Sequence, residues 1–212
     1  MSRRVPLAGL VLAAGTLVLS FATARAGPVA SPTPTLPPGT GAAGQAPPEL
    51  DAGRSRAGIE VDLRVGGRVQ GRFGRLEGRL GRLDDGRLQV AVRLDAEGLV
   101  LDGPGWMARS MRSPRFLDVE AHPWIHFRSE PFEPALVEAG GAMAGELVLR
   151  GVARPVRFRV DPEACAEPGY DCDIHVSGVV SRREFGMDAY RLWLKDEVGF
   201  DFRVRLRQPD AP

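Results

Sequence analysis

The residue pattern predicts an all-β fold, with eight antiparallel strands closed into a barrel or stacked as a sandwich. Three observations carry the expectation. Apolar and polar residues alternate with a period of two through most of the chain beyond residue 58, which marks strands with one buried face. Turn-forming clusters separate these runs at regular spacing, as they do in barrels and sandwiches. Helical spacing of apolar residues marks a single interruption, between Asp102 and Asp118.

In chain order, Ile59, Val61, Leu63 and Val65 alternate with Glu60, Asp62 and Arg64 and form the first strand. Val69, Gly71 and Phe73 begin a second strand. Its parity slips after Phe73 and resumes at Leu76, Gly78 and Leu80. The slip at Gly74 predicts a β-bulge, which bends a strand around a barrel. Asp84-Asp85-Gly86 is a hairpin signal leading to Leu88, Val90, Val92 and Leu94. Trp106, Met107, Met111 and Phe116 then predict one or two short helices, with Ser113 as an N-cap and Pro114 in the first helical position. Strands resume at Trp124 to Phe132, Ala142 to Arg150, Val156 to Asp161, Cys172 to Ser181 and Val198 to Arg207, with turns at Gly140-Gly141 and Gly151 to Pro155. Eight strands enclose space for one small elongated ligand. Gly71, Gly78, Gly145 and Gly178 fall on lumen-facing positions. They either leave a cavity open or only allow the sheet to curve.

The 212 residues, 43% hydrophobic and 26% charged, suit one globular domain with appendages. Residues 1–26 read as an export signal: a basic start, the uncharged apolar run Leu7 to Phe21, and small residues ending at Ala26. A retained anchor is the alternative, although the run is marginal for a spanning helix. The expected compartment is the periplasm. Residues 27–49 are rich in Pro, Ala, Gly and Thr and read as a disordered linker. The folded domain is expected over residues 50–208, with a tail at 209–212. Removing residues 1–26 takes away three arginines and no acid, so the net charge changes from +1 to −2. Neither value favours nucleic acid as a partner.

Cys165 and Cys172, the only cysteines, flank a turn-rich segment. In an exported chain such a pair is most simply a disulfide, worth about 2.5 kcal/mol by loop closure. Catalytic signatures do not emerge: GxSxG, a cysteine–histidine pair and a phosphate loop are all missing from the sequence. His122 and His126 flank Pro123 at a strand entry and do not converge as helical neighbours would, so no metal is expected. Asp84-Asp85 and Asp196-Glu197 read as solvated turns. Trp106, Met107, Met111, Phe116 and Leu117 form either an apolar lid over a barrel mouth or a plug of core residues. Arg182 either contacts a ligand head group by charge-assisted hydrogen bonds or fixes a neighbouring loop.

The runs Gly71-Arg72-Phe73, Phe116-Leu117-Asp118-Val119 with Pro123 and Phe127, GELVLRGVARPV (Gly145 to Val156), and Arg182 with Phe185-Gly186-Met187 occur in this order. Together they resemble the YceI-like proteins, bacterial exported barrels associated with polyisoprenoid lipids. The resemblance covers Asp51 to Arg207. It implies an eight-stranded antiparallel lipocalin-like barrel with one or two short helices near its mouth. It also implies an apolar tunnel for a polyprenyl chain or quinone tail, with no other cofactor. The apolar cavity or lid is expected to use Phe73, Trp106, Met107, Met111, Phe116, Phe127, Phe158, Phe185 and Met187. One departure stands out. Where many relatives carry Arg-Asp followed by a His-Leu-Arg-Ser run, this chain has Met107-Ala108 in place of the Arg-Asp and Ser110 in place of the His, while Met111, Arg112 and Ser113 keep the later pattern. The expected function is therefore non-catalytic binding of an isoprenoid-type lipid, with transient membrane contact. The alternative is an interaction or stress-protection module with a filled barrel.

Overall fold

The computed structural model describes residues 47–208; the signal, most of the linker and the tail lie outside the described residues. The strands are β1 (Arg56–Leu63), β2 (Arg68–Arg72), β3 (Leu76–Arg82), β4 (Leu88–Asp95), β5 (Val100–Leu101), β6 (Trp124–Ser129), β7 (Gly141–Leu149), β8 (Val152–Val160), β9 (Ile174–Ser181) and β10 (Leu194–Val204). Two short helices interrupt them, α1 (Gly105–Arg112) and α2 (Ala135–Ala139), and a 3₁₀ turn covers Arg182–Phe185. All the strands join one curled antiparallel sheet in the order β3-β4-β6-β7-β8-β9-β10-β1-β2-β5.

The ten strands form eight continuous paths, the expected number. β5 is two residues long and only flanks β2. β2 and β3 are two arms of one path. The Phe73 N–H still donates to Ala57 of β1 at 3.0 Å, while the Arg75 carbonyl already accepts from Asp95 at the end of β4 at 2.9 Å. The parity slip is thus a change of partner strand rather than a bulge. Gly74 permits it, because a methyl group there would sit 2.9 Å from the backbone of Gly98. The curl is completed by the segment before β1. Leu50 donates to Gly78 of β3 and Asp51 to Arg205 beyond β10, while the Glu49 carbonyl accepts from Arg207.

Several boundaries differ from expectation for local reasons. Ser113 does not open a helix. It follows the last helical residue, with φ −66° and ψ 163°, because Pro114 excludes the helical region for the residue before it. Its hydroxyl donates to the Ser110 carbonyl at 2.7 Å. The β7–β8 turn is only Arg150-Gly151, both at positive φ, the two-residue hairpin geometry that matches strand twist. Pro155 therefore lies within β8, in a stretch that pairs with β7 but not with β9, which meets β8 only at Arg159 and Val160. A residue without an N–H is tolerated there. Pro131 similarly ends β6 early, although Phe132 still exchanges two backbone hydrogen bonds with Leu88.

The buried faces meet in one core, with a cluster of phenylalanine rings at its centre. Phe158 makes edge contacts with Phe127, Phe200 and Phe202, at ring-centroid distances of 5.1, 6.2 and 5.6 Å. Phe73 and Phe202 stack on Phe200. The two barrel ends are distinct. α2 leads directly into the start of β7. At the far end of β7, the Arg150 guanidinium donates to the carbonyls of Pro114 and Gly186, which follow α1 and the 3₁₀ turn. α1 and the 3₁₀ turn therefore share one end, and α2 the other.

Candidate ligand cavity

The inward parity of the strands leaves an apolar space of about 90 Å³ in the half of the barrel facing α2. Its nineteen lining residues are all apolar. Val90, Val92 and Leu94 come from β4, Ile125 and Phe127 from β6, Met143 and Leu147 from β7, and Phe158 and Val160 from β8. Ile174, Val176, Phe202, Val204 and Leu206 complete the far wall, with Phe132 and Val137 toward α2. Leu80, Val92, Phe132, Val137 and Ile174 keep partial exposure although they line this space, so it communicates with solvent.

The α1 end is sealed. Phe116, Phe185 and Met187 are almost wholly buried, and Met107 and Met111 pack against the same core. Arg182 is 1% exposed. It donates to the carbonyls of Met187, Ala189 and Lys195, and its guanidinium lies 5.9 Å from the Phe116 ring centre. Burial pulls its pKa below the usual arginine value, but three main-chain oxygens accept from its Nε and Nη1. In this position the side chain fixes the Met187–Lys195 loop and does not reach the cavity.

Of the nine apolar residues expected at the cavity or lid, Phe127 and Phe158 line the space. Phe73 belongs to the ring cluster behind it, and Phe116, Phe185 and Met187 belong to the sealed end. Trp106 is 58% exposed on α1, outside the ring cluster. The other seventeen lining residues, Leu50, Phe132, Val137 and Leu206 among them, were not expected at the cavity. Leu206 continues the apolar parity of β10 and was legible. Val137 sits on a helix too short to show a periodicity, and Leu50 follows a linker.

The four strand glycines do not open the cavity. A methyl at Gly178 would overlap the Phe158 ring, and one at Gly145 would approach the Phe127 ring to 2.6 Å. At these two positions the missing side chain makes room for a phenylalanine ring, whereas a methyl at Gly71 would meet Leu101 and one at Gly78 the backbone of Ala91.

The cysteines are bonded, Cys165 to Cys172. Their loop braces the cavity rim: Gly169 packs on Leu206 and Ile174 and accepts the Leu206 N–H, while Arg205 donates to the Tyr170 carbonyl and pairs with Asp173. No group of three or more His, Cys, Asp or Glu residues gathers as a metal cradle among the described residues. His126 is half-buried, and desolvation, assisted by Arg93, lowers its pKa. Asp196 accepts from Arg183 and from the Ser181 hydroxyl, which hold its pKa down at about 2 against a residual desolvation cost.

A curled antiparallel sheet around an apolar interior, with short helices at its ends, defines a lipocalin-like barrel. The profile of the YceI-like domain matches residues 49–206, and the chain belongs to the YceI-like family. Two solved structures share the fold. Burkholderia cenocepacia BcnA is 17% identical, with a TM-score of 0.60 over 75% of this chain and 99% of that one. A polyisoprenoid binding domain from Saccharophagus degradans, implicated in plant cell wall breakdown, is 15% identical, with a TM-score of 0.59 over 78% and 100%. No curated protein matches the chain.

Proposed function

We propose that this protein is an exported carrier that binds an apolar, isoprenoid-type chain in the half of its barrel facing α2, without covalent chemistry. The observation that carries the reading is the lining: nineteen apolar side chains around a space that reaches solvent. Each methylene buried there contributes about 0.8 kcal/mol, so an apolar chain binds without polar contacts and more tightly the more of it the barrel admits. The polyisoprenoid-binding relative supports the ligand class. The leader-like sequence of residues 1–26 supports export to the periplasm.

Size sets the mechanism. A cavity of about 150 Å³ lined by Leu, Ile and Phe takes up benzene, and the present space is smaller, at about 90 Å³. It accepts the end of a chain as it stands. A longer tail requires the Phe127 and Phe158 rings to turn and α2 to move. α2 is suited to that movement: it spans five residues with none buried, and the Glu163 N–H tethers it through the Glu138 carbonyl at 3.3 Å.

The five-ring cluster favours a second reading, in which the barrel is filled by its own side chains and serves as an interaction module. Native mass spectrometry with solvent extraction separates the two. The carrier reading expects a co-purifying species with isoprene-spaced fragments. Protein that is empty and also fails to take up added farnesol or quinone supports the filled barrel.

A further inference from the structure

Away from the cavity, one apolar cluster is uncovered. Val65, Leu192 and Trp193 are 73%, 83% and 60% exposed, and Tyr190 is exposed beside them. They come from two segments far apart in sequence, the turn after β1 and the loop leading into β10. Hydrogen bonds join the segments: the Arg64 N–H donates to the Trp193 carbonyl and the Arg64 Nε to the Arg191 carbonyl, each at 2.8 Å. Every residue of Arg64–Arg68 and of Tyr190–Trp193 is exposed.

This tip is held in shape. The buried Arg182 guanidinium donates to Met187 and Ala189 from beneath it. The N–H groups of Trp193 and Leu194 both donate to the Tyr190 carbonyl at 2.9 Å. Tyr190 itself has φ 59°, a left-handed conformation that is costly for an aromatic residue and persists only where its surroundings enforce it. A lone exposed leucine needs no explanation, but a contiguous apolar set does.

Charge selects the partner. The tip segments Arg64–Arg68 and Tyr190–Leu194 contain three arginines and no acid. Arg68 pairs back down the strand with Glu60 and Asp62, whereas Arg64 and Arg191 make no ion pair among the described residues. Tryptophan and tyrosine favour the boundary between water and hydrocarbon, and arginine favours lipid phosphates. Two copies placed tip to tip would set these arginines against one another. We propose that this tip docks peripherally on an anionic lipid bilayer, with Leu192 and Trp193 inserted and Arg64 and Arg191 at the head groups. No helix among the described residues is long and apolar enough to cross a membrane. The docking holds whatever the cavity contains.

The test uses the full chain in every variant, so any contribution from residues 1–46 is common to all. Flotation with phosphatidylcholine vesicles is compared with flotation on vesicles that also contain phosphatidylglycerol. Trp106→Phe/Trp124→Phe leaves Trp193 as the single tryptophan. Its emission should shift to the blue, and brominated lipid should quench it, on the anionic vesicles. Arg64→Gln/Arg191→Gln should weaken binding by an order of magnitude or more, at about fivefold per arginine. Val65→Glu/Leu192→Glu in that single-tryptophan background should abolish the blue shift, the quenching and the flotation, with circular dichroism and extracted ligand unchanged. Equal vesicle binding by all variants, or an unquenched Trp193, overturns the proposal. So does a dimer in sedimentation that Leu192→Glu dissolves while vesicle binding persists, since that would assign the tip to self-association.

Discussion

Phe158→Ala removes the ring at the centre of the cluster, and its consequence follows from the packing. Phe158 is 2% exposed and touches Phe127, Phe200 and Phe202. Losing the ring forfeits a transfer contribution of about 2 kcal/mol. It also leaves a void of about 100 Å³, which adds roughly 2 kcal/mol at about 24 cal/mol per Å³. The expected destabilisation is about 4 kcal/mol, within the range found for buried Phe→Ala changes. For a domain of this size it corresponds to a fall in Tm of about 8–16 °C. The void joins a space of about 90 Å³, so the variant should accept farnesol more readily than the wild type. Urea denaturation, with and without farnesol, measures both effects. The variant should be weaker when empty and should gain more from the ligand. A loss below about 1 kcal/mol would mean that the ring is not packed as described. Equal rescue of both proteins would refute the link between ring removal and ligand space.

Other perturbations reach different parts of the structure. Gly178→Ala pushes a methyl into the Phe158 ring and should cost about 1–3 kcal/mol by urea denaturation, as overpacking does. Cys165→Ser/Cys172→Ser opens the loop that braces Ile174 and Leu206 and should cost about 2.5 kcal/mol; dithiothreitol should lower the Tm of the wild type and leave the variant unchanged. Asp196 has a folded pKa of about 2 against an ordinary 3.8, held there chiefly by Arg183. Its stabilisation is present above pH 3.8 and is lost as pH falls toward 2. Asp196→Asn should therefore be less stable at neutral pH and show a flatter acid limb in pH-dependent denaturation. His126 has a lowered folded pKa, so its contribution is present above its ordinary 6.5 and is lost as pH falls below that value. His126→Gln should flatten stability across that range.

The sequence by itself determined the all-β class, the strands and the family. Period-two alternation in runs such as Ile59 to Leu63 and Phe200 to Leu206 is local, and strand formation follows from it. The break at Gly74 was also legible, because a one-residue shift in parity moves every side chain to the other face. The tertiary structure alone decided which inward residues border empty space and which border one another. Phe73, Phe127, Phe158, Phe200 and Phe202 share an inward parity, but only the curl of the sheet brings their rings together from four different stretches and leaves the space beside α2. The same holds for Arg182. Its sequence neighbours fit a rim arginine as well as a structural one. Its role depends on the Met187, Ala189 and Lys195 carbonyls, which converge on it after the loop closes. A cavity is a difference between packed volumes, and contacts between distant segments set that difference.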